Sequence, residues 1–488
     1  MTYDTLPETR RRTIAFAVLS CTFLGILDGT VTGTAMPRIV AQLGGSGNWY
    51  VWVVTAYLLT STVTVPLYGR FSDLYGRRPP MLIGLGLFLA GSLASGLAPS
   101  MGALIAFRAL QGVGAGALLT VSMSVVRDLY PPGRMLGMVR MQTLMAGMFI
   151  VGMLGGPIVG GVLADYASWR WAFLINLPIG LTAAAVLATL LPRARPEAAP
   201  AGRLDLAGIA LLTAGLSSVL LGLSLKGLGE RAWTDPSVGG TLLLGAALLA
   251  ALIAVERRAA VPILPLRLFG HRAYAAIAAA GFFFQAANLP AAVFLTLYLQ
   301  QVRGYSATTS GLLLLPMLAG MVLSNRLTAV TILRTARPKP MLLTGAALLV
   351  AGSVPFLTLD TTTPTPLIGA CLLLIGLGSG PAMGGASIVA QNSVPRTDIG
   401  TATAGSMLTK QIGGATSLAC AQSLLSHHLA VSAGAAAVTA GIATSLAWIG
   451  GLSGLLALTA VAVMPDLRIT QPAAPVPAPA QPPAGSRR

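Results

Sequence analysis

Fourteen times along this chain a run of about twenty mostly apolar residues recurs, each long enough to cross the ~30 Å hydrocarbon core of a bilayer as a helix. The runs fall at about 13–36, 49–69, 80–98, 102–126, 137–162, 172–192, 204–226, 237–256, 273–300, 309–332, 341–359, 365–391, 400–425 and 438–464. In hydrocarbon every backbone N–H and C=O must find a partner inside the protein, so only helices and closed barrels span. The runs are about twice the length of a membrane strand and lack its alternation. The fold class predicted is therefore all-α and integral to a membrane. Composition agrees, with 55% of the 488 residues hydrophobic and 9% charged. The run after "MTYDTLPETRRR" shows no small-residue cleavage site and is read as a retained signal-anchor.

An even number of spans puts both termini on one side. Arg10–Arg12, Arg70, Arg77, Arg78, Arg127, Arg134, Arg140, the Arg cluster 193–203, Arg257, Arg258, Arg267, Arg272, Arg326, Arg334, Arg337, Lys339 and Arg396 fall in alternate connections. The other set holds Arg38, Arg170, Lys226, Arg231 and Arg303, a bias of about four or five to one that makes the termini cytoplasmic. This asymmetry accounts for the net charge of +17, and no nucleic-acid partner is needed. Breaks at "LPRARPEAAPAGR" and "ERRAAVPILPLRLFGHR" divide the chain into an N-terminus (1–12), a six-helix bundle (13–192), a linker with an inserted helix pair (193–258), a second six-helix bundle (259–464) and a disordered Pro/Ala-rich tail (465–488). Cys21, Cys371 and Cys420 lie in apolar runs without metal-ligand spacing, and neither metal nor cofactor is expected.

The first run, "FLGILDGTVTGTAM", carries Asp28, and a lone carboxylate at such depth costs about 2.5–3.5 kcal/mol on insertion scales. The fourth run carries Arg108 in "FRALQGVGAGAL". Counted from the helix ends at 1.5 Å per residue, Asp28 lies roughly 12–14 Å and Arg108 roughly 10–12 Å below the same face. Opposite charges at one level are expected to pair or share a hydrogen-bond network.

Three motifs carry a family resemblance. "GRFSDLYGRRPP" places Gly69, Asp73, Gly76, Arg77 and Arg78 in the turn between the second and third spans, and Asp128 in "VVRDLYPPGR" is a candidate partner for Arg77. Arg108 is followed by Gln111 and Gly112. "GMLGGPIVGGVLAD" sets Gly152, Gly156, Pro157, Gly160 and Gly161 in the order Gly-x-x-x-Gly-Pro-x-x-Gly-Gly. Glycines four residues apart strip one helix face for close packing, and the proline favours a bend. These motifs resemble the major facilitator superfamily, and with "LDGTVTGTAMPRIV" and "SWRWAFLINLPIG" the chain resembles its fourteen-helix drug:proton antiporters. The resemblance covers nearly the whole chain. It implies two six-helix bundles plus an inserted pair, a loop charge cluster that latches one conformation, and a glycine–proline helix that gates. The second-half copy of the loop, "SNRLTAVTILRTARPKP", lacks the Asp, which removes a symmetric latch from that half.

Asp28 and Arg108 are accordingly read as the proton-coupling pair. Tyr57, Gln111, Gln285, Asn288 and Lys410 are the substrate-binding candidates, Lys410 being either a lining group of the passage or a side chain that snorkels to the surface. The function expected is proton-driven efflux of amphiphilic drugs or antibiotics by alternating access, in the plasma membrane of a bacterium and as a monomer. A proton-coupled importer, or an exporter of an endogenous metabolite or lipid, is the alternative on the same fold. An enzyme is not expected, since no nucleophile–base pair, paired carboxylates or phosphate-cradling loop is present.

Overall fold

The computed structural model describes residues 6–44, 47–130, 135–193, 205–227, 233–258, 266–394, 399–431 and 434–467. The loop 194–204, the tail from 468 and the Asp73 side chain lie outside the described residues. Among the described residues all regular structure is helical. In chain order the helices are α1 (Glu8–Leu43), α2 (Gly47–Tyr75), α3 (Arg78–Gly96), α4 (Met101–Leu129), α5 (Met135–Tyr166), α6 (Trp171–Leu174), α7 (Asn176–Leu190), α8 (Leu206–Gly227), α9 (Pro236–Glu256), α10 (Arg272–Gln301), α11 (Ala307–Leu313), α12 (Leu315–Thr335), α13 (Lys339–Ser353), α14 (Thr365–Asn392), α15 (Ile399–Val431) and α16 (Ala435–Val463).

The helix ends depart from the sequence reading in several places. The second span runs on to Tyr75, so Gly69 and Asp73 lie in α2 and not in the turn, and α15 runs on to Val431. The first span continues past residue 36 to Leu43 with Pro37 inside it, because buried Ile39 and Val40 hold the last turns in the core. The sixth span is α6 and α7, broken at Ile175 where Pro178 supplies no N–H to the preceding turn. The tenth is α11 and α12, broken at Leu314 ahead of Pro316. Taking each broken pair as one unit, ten helical units among the described residues are long and apolar enough to cross a membrane. The sequence count of fourteen also includes α2, α5, α8 and α15.

The helices α1 to α7 pack chiefly among themselves, as do α10 and α12 to α16, while α11 packs chiefly on α5. The α8–α9 hairpin stands to one side, with α8 against α2 and α15. In α9 the buried positions Val238, Gly245 and Leu252 recur every seven residues and make a single seam, while Leu243 and Leu244 are 73% and 54% exposed, as lipid-facing residues would be. The chain is a multi-pass membrane protein.

Polar backbone ends are satisfied from within, as a low-dielectric surrounding requires. Pro381 leaves the carbonyl of Leu377 without its intrahelical donor, and Ser324 Oγ of α12 donates to that oxygen at 2.6 Å. At the face where α1 begins, here called the basic face, cations cap carbonyls at helix C-termini: Arg10 and Arg78 on Leu190 and Ala188 of α7, Lys339 on Met464 after α16.

Bare backbone fixes the approach of α3 to α4. A Cβ on Gly91 would stand 2.6–2.7 Å from the N, Cα and Cβ of Gln111. Gly91→Ala is expected to lower stability by about 1–3 kcal/mol, the usual cost of overpacking. Gly86→Ala, on the same helix with open space around it, should leave the thermal unfolding midpoint in detergent unchanged or slightly raised.

Candidate functional site

Asp28, Arg108 and Gln111 meet in the middle of the first group of helices. Arg108 Nη1 donates to Asp28 Oδ2 at 2.6 Å and to Gln111 Oε1 at 2.7 Å, and Gln111 Nε2 donates to Asp28 Oδ1 at 2.8 Å. Asp28 and Gln111 are 0% exposed and Arg108 1%. Arg108 and Gln111 share a face of α4 because they are three residues apart. Tyr57 of α2 lies beneath the guanidinium, its ring centroid 4.1 Å from Arg108 Cζ, and Phe173 flanks it at 5.6 Å. Such contacts favour a desolvated cation.

Two members went unseen in the sequence. Asn176 Nδ2 donates to Asp28 Oδ1 at 3.0 Å and to Ser92 Oγ at 2.9 Å, and Ser92 Oγ donates to the Phe173 carbonyl at 2.8 Å. The chain of bonds has one direction. Ser92 commits its proton to Phe173, so it receives from Asn176, and both N–H groups of Asn176 are then used. The carboxylate of Asp28 thus accepts three hydrogen bonds, all from N–H donors. Such a surround suits the ionised carboxylate. The signal was an amide in the apolar run "AFLINLPIG". Ser92, one of two serines in α3, carried none.

The glycine–proline motif of α5 presents two faces. Gly152 lies on Phe23 and Ile26 of α1, Gly156 on Thr30, and Gly160 on Val31 and Thr34. Thr30 Oγ1 also donates to the Gly152 carbonyl at 3.2 Å. The next face round the helix meets α11. Gly311 presses on the backbone of Pro157, and a Cβ on Gly161 would stand 2.5 Å from Thr308 Cα. Asp165, just beyond the motif, accepts from Thr308 N at 2.8 Å and Thr308 Oγ1 at 2.6 Å, and pairs with Arg38 at 3.4 Å. Gln300 Nε2 adds a bond to the Thr34 carbonyl at 3.1 Å. These contacts join the two groups of helices at the face opposite the basic one.

At the basic face Arg77 Nε donates to Asp128 Oδ2 at 2.8 Å and Arg77 Nη1 to Ser72 Oγ at 2.9 Å. Gly76 takes φ +84°, a backbone region glycine enters freely. Gly69 faces Thr120 of α4, and Arg78 binds the Ala188 carbonyl. In the second group of helices Asn288 Oδ1 accepts from Ser379 Oγ at 3.3 Å, Gln285 lies against Gly414, and Lys410 Nζ donates to the Ala382 carbonyl at 2.7 Å. Gln285, Asn288 and Lys410 stand apart from the Asp28 cluster, on α10 and α15.

A multi-pass helical protein with a buried ion pair inside one group of helices and a seam joining it to a second is built as a membrane transporter. The chain belongs to the Major Facilitator Superfamily, which matches it over residues 18–418. It is 33% identical over 407 residues to the multidrug transporter protein MdtP of Bacillus subtilis, covering 83% of this chain and 74% of that one. It is 34% identical over 424 residues to the puromycin resistance protein pur8 of Streptomyces alboniger, covering 85% and 81%. Its fold matches the partially occluded inward-open xylose transporter XylE of E. coli with a TM-score of 0.63 at 15% identity, over 95% of this chain and 100% of that one. A member of this family is a transporter and not an enzyme.

Removing one partner of a buried pair strands the other charge, so Asp28→Ala should cost about 3–5 kcal/mol. Adding Arg108→Met should recover part of that loss, read by thermal unfolding as a double-mutant cycle. Asp165→Ala removes both bonds to Thr308. Spin labels at exposed Val162 and Leu312 should then report a broader and longer distance distribution than in the unaltered seam.

Proposed function

We propose that this protein is a proton-driven exporter of amphiphilic small molecules, drugs and antibiotics among them. In this reading fourteen spans cross the plasma membrane of a bacterium, both termini are cytoplasmic, and the protein works as a monomer. Two bundles of six helices alternate access to a passage between them, and the α8–α9 pair is the insertion. The observation that carries the reading is Asp28, fully buried and held by three N–H donors of which one is the guanidinium of Arg108.

A proton arriving on Asp28 cancels the charge that the cluster is arranged to hold. The ion pair with Arg108 then weakens, and so do the contacts that tie α1 to α4 and α7. Loss of those ties changes the relative stability of the two conformations, which is what coupling requires. An elementary charge moving inward across the membrane supplies about 2.3 kcal/mol per 100 mV, and the pH gradient adds to it. The seam of α5 on α11 is the gate at the outer face. The Arg77–Asp128 pair at the inner face is a latch that favours the outward-facing state. Gln111 and Tyr57 from the first bundle, and Gln285, Asn288 and Lys410 from the second, line the substrate path. The names of the two relatives, a multidrug transporter and a drug-resistance protein, favour export over import.

The test is uptake of anionic, neutral and cationic amphiphilic dyes by inverted membrane vesicles under an imposed pH gradient, acid inside. Asp28→Asn is expected to lower gradient-driven uptake at least about tenfold while the protein remains folded. Uptake by Asp28→Asn equal to wild type would remove Asp28 from the coupling mechanism.

A further inference from the structure

The two groups of helices differ in charge. The first matches its buried acid with a buried base. The second, α10 to α16, contains no Asp or Glu anywhere along its helices, yet it holds Lys410 eleven residues into α15, about 16 Å from the helix start. The helix packs against α2, α8, α10, α14 and α16. Of these, α8 also lacks acids, and α2 contributes Asp73 in its last turn at the basic face. Asp28 is committed to Arg108.

The side chain of Lys410 is guided inward. Gly281 of α10 gives its stem room, since a Cβ there would lie 3.2 Å from Lys410 Cγ and Cε. The ammonium bends toward α14 and makes a hydrogen bond to one neutral acceptor, the Ala382 carbonyl. An ammonium has three donors, and part of this residue remains accessible at that depth. One turn further along, Gln285 lies against Gly414, and beyond it comes the Asn288–Ser379 pair. The result is a polar track on α10, α14 and α15 composed of one cation, two amides and a hydroxyl, with no carboxylate.

A charge in a low-dielectric interior is unfavourable until it is paired. We infer that the substrate supplies the pairing anion: Lys410 binds the acidic group of an amphiphile, a carboxylate or an acidic phenol, with Gln285 and Asn288 taking its neighbouring polar atoms. This rests on the reading above that the passage carries substrate, and it narrows the substrate class to monoanionic amphiphiles.

The test measures equilibrium binding to the purified full-length protein with no gradient, so it stands or falls separately from proton coupling. The probes are dansyl-aminoundecanoate and its methyl ester, which differ in one negative charge. Wild type is expected to bind the acid at least about tenfold more tightly than the ester, the scale of one charge-assisted hydrogen bond. Lys410→Gln should abolish that preference by weakening the acid alone, and Lys410→Arg should keep it. Absence of a preference in wild type, its survival in Lys410→Gln, or a parallel loss of both probes would each overturn the assignment.

Discussion

An ionised side chain in hydrocarbon must be matched within the protein, and the first group of helices is arranged around that requirement. The carboxylate of Asp28 draws donors from α4 and α7 to α1, and the guanidinium of Arg108 draws the ring of Tyr57 from α2. Each helix can reach the cluster because its neighbours give way. Gly91 lets α3 touch the backbone of Gln111, and Gly112 lets α4 lie on Tyr57 and Thr60. Small residues at these crossings are therefore part of the electrostatics as much as of the packing.

The same accounting extends to uncharged groups. Where proline removes a donor in α14, a serine from α12 replaces it. Where helices end at the basic face, Arg10, Arg78 and Lys339 reach their terminal carbonyls. The Arg and Lys residues gathered at this face thus also terminate helices.

Much of this was legible in the sequence, and what was missed has a common cause. Run length identified the helices because hydrocarbon thickness fixes it. Depth counting brought Asp28 to Arg108 because both helices cross the same slab, even though α1 runs on to Leu43. The Arg77–Asp128 pair followed from two charges at one face. Asn176 and Ser92 escaped because a single amide or hydroxyl in an apolar run has no period of its own. Asp165 takes the backbone N–H of Thr308, 143 residues away, beside that residue's hydroxyl and Arg38, and the partner of Lys410 is a main-chain oxygen. Backbone partners leave no mark in the one-letter code. The breaks at Ile175 and Leu314 were within reach, since Pro178 and Pro316 announce them.

The two faces of α5 have a mechanical consequence. Positions 152, 156 and 160 meet α1, while 157 and 161 meet α11, and one residue of offset turns a helix by about 100°. The first contact sets Phe23, Ile26, Thr30 and Thr34 against bare backbone within one group of helices. The second ends in an acid hooked on a helix start, with little side-chain bulk interlocked. Parting α11 from α5 also loosens the contacts of α1 with α10 and α11, the Gln300–Thr34 bond among them, so movement at the seam reaches the helix that carries Asp28.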